Sequence, residues 1–204
     1  MLGLLIATKP EWAPTAAASV DRVLVDHAHC EMKAASNALS LTPRCAPWPA
    51  MVRTLVDLAE EELTHMRRVL DELERRGIPF GAPEVDFYAA ELRKRTGPSS
   101  RHRGAQPGDV DRALVDRLLV AALIEARSCE RFKLLRDALS TKDSALSAFY
   151  DDLLASEARH YGVFVDMAAT VSGSERDARA RLAEVAAIEA SVVRELPCTP
   201  TIHG

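Results

Sequence analysis

Long apolar runs are missing from this 204-residue chain, although 48% of its residues are hydrophobic. None approaches the roughly 20 residues that a membrane-spanning helix needs. The start, Met1-Leu2-Gly3-Leu4-Leu5-Ile6-Ala7-Thr8-Lys9-Pro10, has no basic leader and too short an apolar stretch for a signal peptide, so the expected location is cytoplasmic, with no membrane partner. Cysteine is scarce. Cys30, Cys45, Cys129 and Cys198 show no close pairing, which argues against a zinc ribbon and against a disulfide framework. Positive charge is not in excess: 26 Lys and Arg against 30 Asp and Glu give a formal net charge of −4, so any polyanion must be met by a local basic patch. Charged residues at 27% are too few, beside so much apolar residue, to imply disorder. Strand-like alternation is almost absent too.

Apolar residues instead recur at helical spacing through long stretches. The first helix is predicted from near Ala16 to Leu41, ending at Pro43, Pro47 and Pro49, which cannot continue it. The second runs from about Ala50 to Arg76 and stops at Gly77-Ile78-Pro79. A shorter helix covers Glu84 to Thr96 before a loop rich in Gly, Pro and Ser that ends at Gly108. Further helices span Asp109 to Leu139 and Asp143 to Val171, and Ser174 caps a last one ending near Leu196. Four long helices with accessories predict an all-α fold: a four-helix bundle whose long crossover connection is the Gly77–Gly108 excursion, residues 1–204 forming one domain.

Two short motifs carry the chemistry: Glu62-Leu63-Thr64-His65 and Glu157-Ala158-Arg159-His160. Residues three apart share a helix face, so each carboxylate and imidazole can grip one metal. With 16 glutamates and 6 histidines, about half such a match arises by chance. Two matches on two long helices are harder to dismiss. Bundle logic then asks for a lone glutamate on each remaining long helix. Glu31 supplies it on the first, where Leu24, Ala28, Ala34, Ala35 and Ala38 share its face. On the third, both Glu125 and Glu130 qualify. Counting from a turn near Lys142 favours Glu130 and sets Glu125 ~7.5 Å too low along the axis. A weak internal repeat, Cys30-Glu31 against Cys129-Glu130, agrees. Carboxylate and imidazole donors suit iron or manganese. His27 and His29 read as neighbours of the ligands, and Cys30 and Cys129 as small core residues.

With those residues in place, the chain resembles the tRNA-(2-methylthio-N6-isopentenyl-adenosine) hydroxylase family, MiaE, over nearly its whole length. The resemblance is strongest in Asp26-His27-Ala28-His29-Cys30-Glu31-Met32-Lys33-Ala34-Ala35, in Glu61-Glu62-Leu63-Thr64-His65, in Ile124-Glu125-Ala126-Arg127-Ser128-Cys129-Glu130-Arg131-Phe132 and in Ser156-Glu157-Ala158-Arg159-His160. It implies a ferritin-like fold and a non-haem di-iron monooxygenase. Two iron ions would be held by Glu31, Glu62, His65, Glu130, Glu157 and His160, with dioxygen as co-substrate. The implied substrate is a prenylated adenosine beside the tRNA anticodon, and an electron-donor protein or reductase completes the partners. Arg93, Lys94, Arg95, Arg101 and Arg103 form the concentrated basic stretch, expected to meet RNA phosphate. The competing reading is another ferritin-like di-iron protein: a hydroxylase of a different substrate, such as a quinone, or one that stores iron or removes peroxide.

Overall fold

Helical spacing of apolar residues becomes helices throughout. In a computed structural model that describes residues 2–97 and 110–203, the described residues form seven helices and no strand. They are α1 (Trp12–Ala18), α2 (Val20–Leu41), α3 (Pro49–Arg76), α4 (Phe87–Thr96), α5 (Arg112–Leu139), α6 (Ser144–Ser172) and α7 (Glu175–Glu195). The predicted first helix is therefore two: Ser19 leaves the helical region (φ −131°, ψ 45°) and separates α1 from α2. The other ends fall close to expectation, each for a visible reason. Pro49 opens α3 at a position where a missing N–H costs nothing. Gly77 and Gly173 close α3 and α6 in the left-handed conformation, φ +68° at both. Asp86, Asp111, Asp143 and Ser174 cap α4 to α7, each side chain accepting from a first-turn backbone N–H.

By internal packing the described chain divides into two units. One holds residues 11–85 with 198–202. In it α2 and α3 pack along their lengths and α1 rests on α2. The buried stripe of α3 is Met51, Leu55, Leu58, Ala59, Glu62, His65, Val69 and Leu73, a helical face with two polar members. On α2 six consecutive residues, Asp26 to Glu31, are buried. Such a run exceeds one helix face. Part of the extra cover is the loop after α3: Phe80 stacks on His29 with ring centroids 4.3 Å apart, and His29 Nε2 bonds the Gly81 carbonyl at 2.8 Å. The chain end adds more, since Asp26 accepts from the backbone N–H of Ile202 at 2.6 Å and Trp12 donates to the Thr201 carbonyl at 3.1 Å.

The other unit holds residues 2–10, 86–197 as far as they are described, and His203. Here α5 and α6 are the packed pair, and α7 lies against α4, α5 and α6. Helix α5 is buried nearly all round from Leu118 to Ser128 and on one face toward Leu139. One interior ion network ties this unit together. Fully buried Arg127 donates from Nε and Nη2 to Glu189 of α7 at 3.0 and 2.7 Å, from Nη2 to the Ile6 carbonyl at 3.2 Å and from Nη1 to Thr8 Oγ1 at 3.1 Å. Among the described residues no helix is long and apolar enough to cross a membrane.

Candidate metal centre

Glutamate and histidine rarely replace apolar residues in a buried helical stripe, because desolvating a carboxylate costs several kcal/mol unless something compensates. On α3 both do: Glu62 is fully buried and His65 nearly so. Glu31, buried on α2, completes a cluster with them. One ligand atom from each of Glu31, Glu62 and His65 lies within 4.8 Å of the others. His65 Nδ1 stands 3.3 Å from Glu62 Oε2. His27 Nε2 lies 2.6 Å from Glu31 Oε1, so one imidazole beside the cluster fixes the orientation of a carboxylate within it. His29 turns instead toward the loop at Gly81.

The α5–α6 pair carries the second set. Glu157 and His160 are buried one turn apart on α6, in a stripe with Tyr150, Leu153, Phe164 and Met167. On α5, Glu125 is buried and offers an oxygen within 4.8 Å of a His160 nitrogen. Glu130, the acid that the count along the sequence favoured, is engaged elsewhere. Its carboxylate pairs with Arg127, and it accepts from the Thr8 backbone N–H at 3.1 Å and from Thr8 Oγ1 at 2.7 Å. The axial count goes astray at the turn. Helix α5 ends at Leu139 and α6 begins at Ser144, so Glu157 stands thirteen residues into α6, Glu125 fourteen before the end of α5, and Glu130 only nine. The Cys-Glu repeat misleads in the same way. In its register Asp26 matches Glu125 and Glu31 matches Glu130, but the roles are exchanged. On α2 the second acid enters the cluster and Asp26 holds the chain end; on α5 the first acid faces His160 and the second holds the N-terminal segment. The signal that could have separated them is Arg127, three residues before Glu130 on the same helix face.

Cys129 stays out of the ligand set. Its Sγ lies 3.8 Å from the Leu154 carbonyl, and burial pushes its thiol above the ordinary range, against the thiolate that a metal would need. Of the basic stretch, Arg93, Lys94 and Arg95 are exposed on α4, whereas Arg101 and Arg103 lie outside the described residues. Acids already engage two of the three. Lys94 reaches Glu91 at 3.0 Å, and Arg95 binds Glu91 at 3.1 Å and forks onto Glu195 of α7 at 2.9 and 2.6 Å. Sequence reasoning also passed over His203, which is buried near the chain end against Ser128.

Each helix pair, taken by itself, offers two buried carboxylates and one buried imidazole, donor types that fit iron. The oxygens are hard, the imidazoles are borderline, and none of the six donors is a thiolate that would favour a softer metal.

Comparison with known proteins agrees with this chemistry. Residues 3–204 match the model of a family described as tRNA-(MS2IO6A)-hydroxylase (MiaE). A Pseudomonas putida protein named tRNA 2-(methylsulfanyl)-N(6)-isopentenyladenosine(37) hydroxylase is 40% identical over 161 residues, which make up 79% of this chain and 72% of that protein. A protein of the same name from Salmonella typhimurium is 36% identical over 136 residues, 66% of this chain but only 46% of the relative. Among solved structures, one described as protein 43 with aldehyde deformylating oxygenase activity from Synechococcus superposes with a TM-score of 0.84 at 33% identity, covering 98% of this chain and 95% of that one. The fold class is therefore ferritin-like, as the resemblance implied, and all-α, as the helix pattern predicted.

Proposed function

The chain belongs to the MiaE family of tRNA hydroxylases, and we propose that it is an oxygen-dependent di-iron monooxygenase that hydroxylates the isopentenyl side chain of 2-methylthio-N6-isopentenyl-adenosine beside the tRNA anticodon. The observation that carries this reading is the gathering of Glu31, Glu62 and His65, all buried, within 4.8 Å of one another. A solvated surface triplet would have no need to be buried. In the proposal Glu31, Glu62 and His65 ligate from the α2–α3 pair, and Glu125, Glu157 and His160 from the α5–α6 pair. Glu125 takes the place expected for Glu130.

Attack on an unactivated methyl C–H bond needs an oxidant that acid–base side chains cannot supply; two iron ions with dioxygen provide that chemistry when bound. The protein's own residues then have three tasks. His27 holds Glu31 in one orientation through its 2.6 Å contact, so the carboxylate is placed before any metal arrives. Tyr150, Leu153 and Phe164 keep the α6 face around Glu157 and His160 apolar, which excludes water and suits an isoprenoid tail. Charge for the RNA phosphates comes from Arg93 and the cations that follow it, including Arg101 and Arg103. An external protein supplies electrons, and the setting is the cytoplasm.

The test is nucleoside analysis of prenylated tRNA incubated with the iron-loaded protein, a reductant and oxygen. A gain of one oxygen on the isopentenyl group, absent without oxygen, is the expected result. Iron bound with no change in any nucleoside would instead favour an iron- or peroxide-handling protein.

A further inference from the structure

A monooxygenase must take in protons as well as oxygen. The overall reaction, R–H + O2 + 2e− + 2H+ → R–OH + H2O, consumes two of them, and an apolar site cannot draw them freely from water. One unit of the molecule holds a chain of groups suited to that need. His203 is buried, yet it meets polar groups on both sides of its ring. Its Nε2 lies 2.8 Å from Ser128 Oγ, and its Nδ1 stands 3.9 Å from Asp86 Oδ2. Asp86 is partly exposed and spends its other oxygen capping α4 through the Ala89 N–H at 2.9 Å. Tyr88 stacks on the imidazole at 5.6 Å between centroids and fixes its plane. The Tyr88 hydroxyl is committed elsewhere, donating to Glu189 at 3.0 Å. Ser128 is buried on α5 three residues after Glu125, so it lies about 4.5 Å further along the same helix face.

We propose that Asp86, His203 and Ser128 form a proton relay running from the surface at the start of α4 to the Glu125 face of α5, an inference that rests on the monooxygenase reading. In each passage a proton from water at Asp86 is taken up at His203 Nδ1 as the proton on Nε2 leaves. Ser128 Oγ accepts that proton and releases its own toward the site, so the charge of each group is restored while the imidazole passes from its Nε2–H to its Nδ1–H tautomer. An imidazole whose two nitrogens face an acid and a hydroxyl can do this; one that merely filled space would need neither partner. His203 and Asp86 are positioning residues, since they act through Ser128.

Two substitutions separate a relay from a simple anchor. Asp86→Asn keeps the cap on α4, because asparagine caps as well as aspartate, but removes the acid. His203→Gln keeps an amide within reach of Ser128 but cannot take a proton on one side and release one on the other. In the metal-free protein, solvent exchange of the His203 imidazole N–H, followed by NMR, should slow roughly tenfold in Asp86→Asn, a modest share of what positioned proton transfer contributes. With iron, reductant and prenylated tRNA, His203→Gln should lower turnover about 100-fold with unchanged iron content and unchanged tRNA affinity. Unchanged exchange in Asp86→Asn would overturn the relay, and so would wild-type turnover in His203→Gln. Should His203→Gln fail to fold, Ser128→Ala takes its place under the same criteria. If the unsubstituted protein hydroxylates nothing, the function reading fails instead, and the exchange measurement still judges Asp86.

Discussion

A carboxylate buried on a helix face needs a proton, a donor or a cation, and α5 carries two that solve the problem differently. Glu130 has Arg127 and Thr8; Glu125 has a His160 nitrogen for a neighbour. Glu125→Ala should therefore weaken iron binding by more than the 10–100-fold that loss of an outer partner costs, measured by iron titration under nitrogen. Glu130→Ala should leave iron stoichiometry unchanged and lower unfolding free energy by about 1–3 kcal/mol, because Arg127 keeps Glu189 but loses one charged partner. Loss of iron in Glu130→Ala with retention in Glu125→Ala would reinstate Glu130 as the ligand. At this scale most of the candidate site was legible. Glu31, Glu62, His65, Glu157 and His160 could be named from spacing and residue type, since two Glu-x-x-His pairs on long helices ask for lone glutamates on the others. Between Glu125 and Glu130 spacing could not decide, because one helix turn of error in a loop changes which of two acids faces inward, and residue spacing does not report where a loop begins. His203 was not legible, since no periodicity marks a side chain on a non-helical tail.

Elements were easier to read than residues, because their ends are set by local chemistry. Gly77 reads as a helix stop, and it closes α3 at φ +68° with open space for 4 Å around the point where a Cβ would stand. Gly77→Ala should thus cost about 1–2 kcal/mol through backbone conformation alone, with no clash and no change in iron content; urea unfolding measures it. The last turn of α3 gives a pH prediction. Hydrogen bonding by Arg75, with help from Arg76, lowers the Glu72 carboxyl below its ordinary value of 4.5. A depressed native value means that this contribution is fully present above the unfolded value and is lost as pH falls through the native one. Glu72→Gln should flatten that acid limb and, as the pair is largely at the surface, lower neutral-pH stability by only about 0.5–1 kcal/mol. Equal slopes below pH 4.5 in both proteins would show that Glu72 titrates alike folded and unfolded. The break at Ser19 was the element the periodicity missed: apolar spacing continues through it, and only the backbone departs. The helices themselves should outlast the metal. His65→Ala or His160→Ala is expected to abolish iron binding yet keep most of the helical circular dichroism, since packing rather than ligation holds a core of this size. Helix lost together with iron would mark the centre as chiefly structural.

For the whole molecule the difficulty is charge. A chain of net charge −4 that acts on tRNA must gather its cations locally, because phosphate contacts supply most of the affinity for nucleic acid. The basic stretch looks like one surface in the sequence, but its members divide by partner. Arg95 is a tie between α4 and α7 through its fork onto Glu195, and Lys94 sits against Glu91. Both would have to give up an acid to take a phosphate. Arg93, Arg101 and Arg103 are the better candidates, with no acid in the sequence from Arg93 to Gly108. Changing these three to Ala should weaken tRNA binding and reduce the slope of log K against log salt by about 0.7 for every phosphate of a single-stranded loop that is no longer neutralised, while iron content stays constant. Arg95→Ala should act differently: a small loss of stability, as expected for so exposed a pair, and little change in salt slope. If the triple variant keeps its slope, the phosphates are met elsewhere, and Arg67 and Arg68 on α3 become the next pair to replace. If Arg95→Ala alone lowers the slope, the α4–α7 tie opens on binding, and RNA takes the place of Glu195.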